Sequence, residues 1–411
     1  MKKGIIAFFL TLAALSQINS QTWVQTLNGI SMWSMCTDIQ GNVYAGASGT
    51  VKSIYKTTNG GQNWFTILSG GASNFLGLAV DSLGNIFAAN STNGVMKSTD
   101  GGNNWINIPT SVFNGKTCQT VCCGRNGTVI VGTVSGGTFR STDYGVTFTD
   151  TSIITSSVVL LAKDRYNPNI IYAGASSTSG VTGFFISTNS GISFGGPYAS
   201  NNCWGLVQKS PLELYYATTA TGYPFSKSTD GGYNWTNSCV QPGAMRGAAL
   251  DLAGNIYISG NGGVYKSTNN GVSFISTGMT SSANLCVCVG NRIYVAATGT
   301  STGGVWIGTD TTISGIANIS GEEPDGYSLG QNYPNPFNPV TSVIFAVKRK
   351  GLVNISVYHV TGRLEAVLVN SDLNAGSYKV EWNAGSSSSG IYYCLMKADG
   401  FTSARRMVLV K

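Results

Sequence analysis

The chain has 411 residues, of which 10% are charged and 54 are glycine, and this length is enough for two or three domains with their own cores. The composition favours many short strands joined by tight turns over helices, which are rich in Ala, Leu, Glu and Lys. The net charge of +7 is dispersed, since residues 21–310 hold 13 basic and 10 acidic residues without a cluster, and this argues against nucleic acid binding.

The first twenty residues have the pattern of an export signal. Lys2 and Lys3 precede the apolar stretch IIAFFLTLAAL at 5–15, and Ile18-Asn19-Ser20 offers small residues for cleavage. An apolar stretch of eleven residues is too short to span a bilayer. We therefore predict a signal peptide at 1–20, an exported mature chain that begins near Gln21, and no transmembrane segment.

An eight-residue pattern, Ser/Thr-Thr-Asp/Asn-x-Gly-x-x-Trp/Phe, recurs along the chain. Copies begin at Thr57, Ser98, Ser141, Ser187, Ser228 and Ser267, at spacings of 41, 43, 46, 41 and 39 residues, and a degenerate seventh copy begins at Gly308. A second motif alternates with it, as in DIQGNVYAG at 38–46 and DLAGNIYIS at 251–259. About four strands in each period of about 40 residues predict the blades of a β-propeller.

The two ends of the array predict how the propeller closes. The seventh copy has no aromatic strand after it, whereas TWVQTLNG at 22–29 resembles such a strand but has no copy before it. We predict that Trp23 to Leu27 forms the outer strand of the last blade, so that the circle closes without an open edge. The expected domain is a seven-bladed propeller over residues 21–310.

The repeated pattern favours a structural role for its side chains. An Asp or Asn at the third position can bond backbone N–H groups in a tight turn, and a catalytic carboxylate could not tolerate the exchange for Asn in three copies. The glycine two residues later suits a positive φ, and the closing aromatic ring is expected to pack between blades. The turn residues are Asn59, Asp100, Asp143, Asn189, Asp230 and Asn269, and the closing aromatics are Trp64, Trp105, Phe148, Phe194, Trp235 and Phe274.

The pattern resembles the Asp box, or BNR repeat, of sialidases, sortilin-type propellers, some endoglucanases and photosystem II assembly factors. The resemblance covers about residues 22–310 and implies that each box is a hairpin turn at the rim of a blade, away from the central pocket. A basic residue precedes five boxes and has two interpretations, a ring that attracts an acidic polymer or charges that keep strand edges from pairing. These residues are Lys56, Lys97, Arg140, Lys227 and Lys266.

The residues give little support for an enzyme. The propeller region contains no histidine, which excludes nucleophile–histidine chemistry there. Glycoside hydrolysis needs two carboxylates at a set separation, and the carboxylates outside the repeats are Asp150, Asp164 and Glu213. These three are the candidates if the protein is a glycoside hydrolase of the Asp-box group.

The nine cysteines form no recognisable disulfide framework. Cys122-Cys123 and Cys286-x-Cys288 are close enough to suggest metal ligands, but they lie in apolar runs, and the single histidine, His359, is distant. We predict buried free cysteines for the most part, and neither a metal nor a cofactor.

Residues 311–326 are polar and predict a linker. Beyond them, alternating apolar positions predict six or seven short strands of an antiparallel, immunoglobulin-like sandwich at 327–411. The alternating residues are Val343, Phe345 and Val347, then Val353, Ile355 and Val357, then Tyr378, Val380 and Trp382, and finally Ile391, Tyr393 and Leu395.

This last region resembles the type A C-terminal sorting domain of the type IX secretion system. The resemblance rests on NYPNPFNP at 332–339, VYHVTGR at 357–363, AGSYKVEW at 375–382, SGIYY at 389–393 and ARRMVLVK at 404–411, with Tyr333, Pro334, Asn335, Pro336 and Phe337 as the core of the first motif. One departure is His359, where the family usually has Asp or Asn. The resemblance implies that the outer-membrane translocon recognises residues 327–411 and delivers the protein to the surface or the medium.

We therefore expect an all-β protein that is displayed or secreted and binds an extracellular glycan or protein without catalysis. The alternatives are a glycoside hydrolase and a propeller that assists the assembly of a partner protein. A ligand is expected in the central channel or on the face that carries the loops at 176–185, 218–226 and 297–306, where Tyr223 could stack on a sugar.

Overall fold

A computed structural model describes residues 21–38, 41–70, 74–134, 136–151, 154–176, 180–220, 222–239, 243–251, 254–289, 292–299, 301–309, 316–320, 322–384 and 387–411. The predicted signal peptide lies outside these residues. The described chain is almost entirely β-structure, with one short 3₁₀ helix at Thr110–Phe113. Within it, no helix has the length and apolarity to cross a membrane.

Seven antiparallel sheets follow one another through the described residues from 22 to 309 and form the blades of a propeller. The first strand, β1 (Thr22–Thr26), belongs to the last blade. Blade 1 contains β2 (Met32–Thr37), β3 (Val43–Ala47), β4 (Ile54–Thr57) and β5 (Phe65–Leu68); blade 2, β6 (Phe75–Val80), β7 (Ile86–Asn90), β8 (Gly94–Ser98) and β9 (Ile106–Ile108); blade 3, β10 (Cys118–Cys123), β11 (Val129–Thr133), β12 (Thr138–Ser141) and β13 (Thr149–Asp150); blade 4, β14 (Ser157–Lys163), β15 (Ile171–Ser176) and β16 (Gly183–Ser187). Blade 5 contains β17 (Gly205–Gln208), β18 (Leu214–Ala217), β19 (Phe225–Ser228) and β20 (Thr236–Cys239); blade 6, β21 (Met245–Leu250), β22 (Ile256–Gly260), β23 (Gly263–Ser267) and β24 (Ile275–Ser276); blade 7, β25 (Ala283–Val289), β26 (Arg292–Ala297) and β27 (Gly304–Thr309).

The hydrophobic cores lie between neighbouring blades. The second strand of a blade is packed on both faces, and all five residues of β3, β7 and β11 are buried. One core, for example, joins Phe87 and Val95 of blade 2 to Val121 and Phe139 of blade 3. This two-sided burial explains why the second strands are continuous runs of apolar and small residues rather than alternating ones.

The predicted closure is confirmed. β1 is antiparallel to β27, with Thr22 opposite Thr309 and Thr26 opposite Val305. The Trp23 indole packs against the core between blades 6 and 7, and its Nε1 donates to the carbonyl of Thr277 over 3.0 Å. The last blade is thus completed by the other end of the domain, and β27 has no free edge.

Blade 4 departs from the predicted four strands. After its box, the described chain makes only a single bridge between Ile186 and Gly195. Gly195-Gly196-Pro197 follows the aromatic residue. Glycine is a weak strand former, and proline has no N–H to donate to a neighbouring strand. The described chain therefore forms no fourth strand in blade 4 beyond this single bridge.

Two further sheets make the C-terminal sandwich, which confirms the all-β fold class. One sheet has the order β28 (Ile316–Ser320), β33 (Gly376–Asn383), β30 (Val340–Val347) and β29 (Ser328–Leu329); the other has the order β32 (Leu364–Leu373), β31 (Gly351–His359), β34 (Gly390–Ala398) and β35 (Phe401–Leu409). Their inner faces share one core. The predicted inward positions of β30, β31 and β33 are all buried there.

The sandwich corrects the sequence interpretation at two places. Residues 316–320, assigned to the linker, form the edge strand β28, which pairs with β33 from Ile316 opposite Val380 onward. In β34, the core face is Tyr392, Cys394 and Met396 rather than the predicted alternate set. Every residue from 391 to 396 is apolar, so polarity alone could not choose between the two registers.

Candidate functional site

The first strands of the seven blades line a central channel. We call its end at the beginning of these strands the upper end, and the opposite end the lower end. Gly77, Gly205 and Gly247 allow adjacent first strands to approach closely, because a Cβ on any of them would lie under 3 Å from backbone atoms of the next blade. The channel therefore narrows, leaving an upper cavity of about 240 Å³.

Two tryptophans and one arginine stand out on the wall of the upper cavity. Trp33, Trp204 and Arg246 line it together with Gln119 and Asn284. The Arg246 guanidinium lies over the Trp204 ring, 5.9 Å from its centroid. Arg246 Nη1 donates to Asn284 Oδ1 over 3.1 Å, and Asn284 Nδ2 donates to the Met32 carbonyl over 3.2 Å. These two hydrogen bonds connect the Arg246 guanidinium through Asn284 to the backbone of Met32 and hold it in place.

Hydrogen-bond donors of the upper cavity are left without partners. Arg246 Nε and Trp204 Nε1 are buried, and neither has a hydrogen-bond acceptor within the described part of the chain. Arg246 is the one charged residue among the described residues that line this cavity, and none of them is Asp or Glu. An unpartnered donor in a buried position is costly, and the protein itself covers both of these atoms.

The sequence interpretation did not single out this site. Arg246 is the second residue of β21, and the matching residues of blades 1, 2, 3 and 7 are Trp33, Leu76, Gln119 and Asn284, whereas in blade 4 it is Val159, the third residue of β14. A charge at that position of an otherwise apolar strand is the signal that could have identified it.

The lower end of the channel is covered by the sandwich. A cavity of about 890 Å³ lies there, lined by propeller residues such as Asp38 and Lys163 and by Tyr378 and Lys379 of the sandwich. Arg165 Nη2 donates to the Asn318 carbonyl of β28 over 2.6 Å. Burial lowers the pKa of Lys379. Among the described residues, the sandwich lines part of the lower cavity and none of the upper cavity.

Arg125 adds an exposed contact between the two domains. Its Nη2 lies 2.8 Å from Glu322 Oε2. Since both side chains are partly in solvent, this ion pair contributes little to stability. The docking of the sandwich rests more on β28 and the buried residues around the lower cavity.

The box residues lie in turns between the third and fourth strands, on the lower side of the blades. In blade 2, the Gly102 N–H donates to Ser98 Oγ over 2.9 Å, and Ser98 Oγ donates to Asp100 Oδ1 over 2.9 Å. Asp100 Oδ1 also accepts the Asn104 N–H. Hydrogen bonds from the Asn104 backbone and side chain lower the pKa of Asp100 to about 2.

The boxes with Asn repeat this geometry. The Oδ1 atoms of Asn59, Asn189 and Asn269 each accept a backbone N–H four residues on, over 3.0 Å. The amide oxygen thus replaces a carboxylate oxygen in the same bond. Asp143 and Asp230 accept the corresponding N–H groups of Thr147 and Asn234. This arrangement is a brace within the turn and contains no group positioned to react with a ligand.

Each box also contacts the preceding blade. A Cβ on Gly102 would lie 2.7 Å from the Ile67 side chain of blade 1. Trp105 Nε1 donates to the Ile67 carbonyl over 2.8 Å. The other closing aromatics also pack inside the domain; the ring centroid of Trp235 lies 4.9 Å from that of Phe184, Phe274 lies 4.9 Å from Phe225, and Phe148 lies 5.1 Å from Phe113. Trp64 packs against the core of blades 7 and 1, and Phe194 lies in the core of blades 3 and 4.

Four of the five basic residues before the boxes contact the second strand of their own blade, and Arg140 contacts the box of the next blade. Lys56, Lys97, Lys227 and Lys266 hold their Nζ atoms between 5.2 and 5.8 Å from the ring centroids of Tyr44, Phe87, Tyr215 and Tyr257. Arg140 Nε donates to the Ser190 carbonyl over 2.7 Å. Cation–π contacts of this kind add stability. They favour a packing role over a free basic ring.

The three carboxylates considered for catalysis lie in different blades. Asp150 is on the outer strand of blade 3 and accepts Asn114 Nδ2 over 2.9 Å. Asp164 is buried in blade 4, where it accepts Tyr172 Oη, Gln208 Nε2 and the N–H groups of a turn. Glu213, in blade 5, accepts Lys227 Nζ over 2.7 Å. Each of the three carboxylates is therefore held by hydrogen bonds or an ion pair from residues around it.

Asp164 is a correction to the sequence interpretation, which set it outside the repeats. Its N–H donates to the Ile170 carbonyl, as the N–H groups of Asp38 and Asp251 donate to the Asn42 and Asn255 carbonyls. Asp164 therefore takes the same place in the turn after the first strand. The turn of blade 4 is two residues longer, and this concealed the register.

The cysteines and His359 belong to the packing of the fold. Cys122 and Cys123 alternate across β10 and enter the cores of different blade pairs, and burial raises the pKa of Cys122 to about 11 and of Cys286 to about 12. Protonated thiols are poor metal ligands. Across the described chain, no three His, Cys, Asp or Glu side chains form a possible metal site. His359 is the last residue of β31 and is partly buried, with its ring centroid 5.3 Å from that of Tyr392 and its Nδ1 3.0 Å from Thr361 Oγ1.

The first sorting motif secures the final strand of the sandwich. Phe337 is buried against Trp382, with ring centroids 5.5 Å apart, and its N–H donates to the Val408 carbonyl. Asn335 Oδ1 accepts the Val408 N–H over 2.8 Å. Pro334 and Pro336 flank Asn335. Tyr333, in contrast, is 63% exposed and is the large side chain of the motif that a partner could contact.

The comparisons with known proteins agree with this architecture. A family model described as a secretion system C-terminal sorting domain matches residues 331–411. No curated protein sequence matches the chain. The structure of YCF48 bound to a D1 peptide is similar to 71% of this chain and 97% of its own, with 15% identity and a TM-score of 0.57.

Two bacterial surface proteins extend the likeness over both domains. PorZ, a surface component of the type IX secretion system of Porphyromonas gingivalis, aligns over 92% of this chain with 14% identity and a TM-score of 0.52. The extracellular domain of BT3049 from B. thetaiotaomicron aligns over 95% with 14% identity and a TM-score of 0.55. This chain spans only 59% and 57% of those two chains. At such identities the likeness concerns the fold.

The chain therefore joins a seven-bladed β-propeller to a type IX secretion sorting domain, as the sequence predicted. The sorting domain engages the secretion system, and the protein is exported to the cell surface or secreted.

Proposed function

We propose that the exported propeller is a non-catalytic binding module, which holds an extracellular glycan or protein at the upper end of its channel. The observation that carries the proposal is the cavity at the end of the channel away from the sandwich, which Arg246, Trp33 and Trp204 line together. Pockets that bind ligands combine apolar walls with a few convergent polar groups, and Trp33 and Trp204 supply such walls. No described residue of the sandwich lines the upper cavity, so we take the upper end as the entrance.

The same proposal includes the processing of the chain. Residues 1–20 act as a signal peptide, and the translocon recognises residues 327–411 after the chain has crossed the inner membrane. The propeller at 21–310 is the delivered cargo. The Asp boxes brace it, and their hydrogen bonds within single turns support that role.

Glycoside hydrolysis is the main alternative to binding without catalysis. A hydrolase requires an acid that remains protonated near neutral pH. Burial alone would raise the pKa of Glu213, but hydrogen bonds from Lys227 and Tyr215 outweigh it, so the pKa is lowered. Asp150 and Asp164 belong to other blades. These contacts favour binding over cleavage.

A second candidate is an assembly-factor role, in which the propeller binds a partner protein. It is favoured by the likeness to YCF48, which was solved with a bound D1 peptide and whose chain is covered almost completely. This candidate uses the same scaffold and predicts a protein partner from the cell envelope instead of a glycan.

We expect the secreted full-length protein to bind members of a glycan array and to release no sugar product. Bound protein and released reducing ends are measured on the same array, with Asp150→Asn, Asp164→Asn and Glu213→Gln variants beside the wild type. Binding by all four proteins without product supports the proposal. Product that disappears in one of the variants identifies a hydrolase. Absence of glycan binding, with capture of an envelope protein that Arg246→Gln loses, supports the assembly role.

A further inference from the structure

The strand β34 is apolar on both of its faces, but the core of the sandwich uses only one of them. Tyr392, Cys394 and Met396 point inward and are buried. Ile391 and Tyr393 point the other way and are 37% and 40% exposed. An antiparallel sheet with one face in water normally carries polar residues on that face. Packing of the sandwich therefore does not account for the outward apolar residues of β34.

Neighbouring strands extend this exposed apolar surface. Tyr393 lies opposite Tyr358 of β31, and Tyr358 lies opposite Leu364 of β32. Ile391 lies opposite Val408 of β35. Paired residues of adjacent strands project from the same face of a sheet, so these side chains form one surface. We call it the outer patch, and it consists of Tyr358, Leu364, Ile391, Tyr393 and Val408.

Basic side chains border the outer patch. Arg406 lies opposite Tyr393 on the last strand, and Lys397 lies on β34, beyond Tyr393. Both basic residues are exposed. Residues 327–411 as a whole contain nine Lys or Arg and four Asp or Glu. A partner surface that is apolar at its centre and acidic at its border matches the outer patch in both polarity and charge.

The outer patch lies on the sheet that faces away from the propeller. The other sheet faces the propeller, because Arg165 donates to the Asn318 carbonyl of β28 and Lys379 of β33 lines the lower cavity. The described residues that line this cavity include none from the outer patch. The patch lies wholly within residues 331–411, which match the sorting-domain family. It is therefore accessible to the machinery that this domain engages while the propeller is docked.

We propose that the outer patch is the surface through which the sorting domain binds the secretion system, and that its partner is an apolar protein surface bordered by acidic side chains. The inference rests on the role proposed above for residues 327–411. The first sorting motif then acts indirectly by holding the last strand in place. Asn335 Nδ2 donates to the Arg406 carbonyl over 3.1 Å, and Asn335 Oδ1 accepts the Val408 N–H over 2.8 Å.

Delivery of the full-length chain by a bacterium that has this secretion system tests the proposal. The double variant Ile391→Thr/Tyr393→Thr removes two outward apolar side chains and keeps a residue that favours strands at both positions. We expect it to reach the surface and the medium at roughly a tenth of the wild-type level, since a few anchors carry most of the energy of an interface. Arg406→Glu should also reduce delivery, because it places a negative charge against an acidic border. Fractionation with immunoblotting measures the delivered fraction.

Leu352→Thr and Lys350→Glu are the matched controls. Leu352 is 59% exposed at the other end of β31, about 20 Å from Tyr358 at the usual rise of a strand, and Lys350 is exposed just before this strand. Both controls should be delivered like the wild type. Melting temperatures of the purified proteins report whether each variant folds, and the exposed Arg406 position keeps the test decisive if the double variant does not.

The outcomes separate this inference from the role on which it rests. Normal delivery of the folded double variant and of Arg406→Glu, with a chain that lacks residues 331–411 retained in the periplasm, would overturn the inference and leave the role of the sorting domain intact. Delivery of the truncated chain would contradict that role itself. A wild-type dimer in light scattering that the double variant converts to a monomer, with delivery unchanged, would assign the outer patch to a second copy of the chain and also overturn the inference.

Discussion

Deleting residues 21–27 is expected to destabilise the propeller by roughly 5 kcal/mol or more, close to the whole stability of many domains. The lost strand pairs five residues with β27, and a net backbone hydrogen bond is worth about 1 kcal/mol. The Trp23 side chain also leaves the core between blades 6 and 7. Thermal unfolding of chains that begin at Gln21 and at Asn28 measures the effect.

Point variants test the contribution of the closure without shortening the chain. Trp23→Ala should lower the melting temperature clearly, whereas Val24→Ala on the same strand should not, because Val24 is 59% exposed. Ser98→Ala, which leaves the buried Gly102 N–H without its acceptor, should cost only about 1–3 kcal/mol. If the chain that begins at Asn28 unfolds at the same temperature as the longer one, β1 does not close the propeller.

Removal of residues 331–411 is expected to abolish delivery to the surface and the medium. The sorting domain engages the secretion system, so a chain without it should remain in the periplasm of a bacterium that has this system. Fractionation with immunoblotting measures the distribution. The propeller itself should still fold, because its blades and its closure lie within residues 22–309.

Fusions to an unrelated exported reporter complete this test. A reporter that carries residues 316–411 should reach the surface. A fusion with residues 327–411 lacks β28, which exposes the edge of β33, and its sandwich should be digested faster by protease. Surface delivery of the propeller without any of these residues would contradict the assigned role of the sorting domain.

The periodic features of the fold could be predicted from the sequence because they are repeated. The role of a single box, such as the one at Ser98 or Ser228, is ambiguous alone, but copies at a steady spacing determine the number of blades. The unmatched ends of the array predict the pairing of β1 with β27. The inward face of β33 followed from the alternation of apolar and polar residues in Tyr378-Lys379-Val380-Glu381-Trp382, and that of β31 from Val353, Ile355 and Val357.

Other features depended on contacts that periodicity does not encode. β34 is apolar on both faces, so its register was undetermined. β28 lies in a polar stretch and is held by its pairing with β33 and the contact from Arg165. Arg246 became informative only when the closed circle placed it in the same cavity as Trp33 and beside Trp204, since those residues are far apart in the chain.

Hydrogen exchange measured with and without a glycan that the array shows to bind tests most directly whether ligands enter the upper end of the channel. The account predicts added protection at the beginnings of β17, β21 and β25, and none at the box turns around Asp100 or Asp230. Protection confined to the box turns, or to the lower cavity beside Lys379, would contradict it.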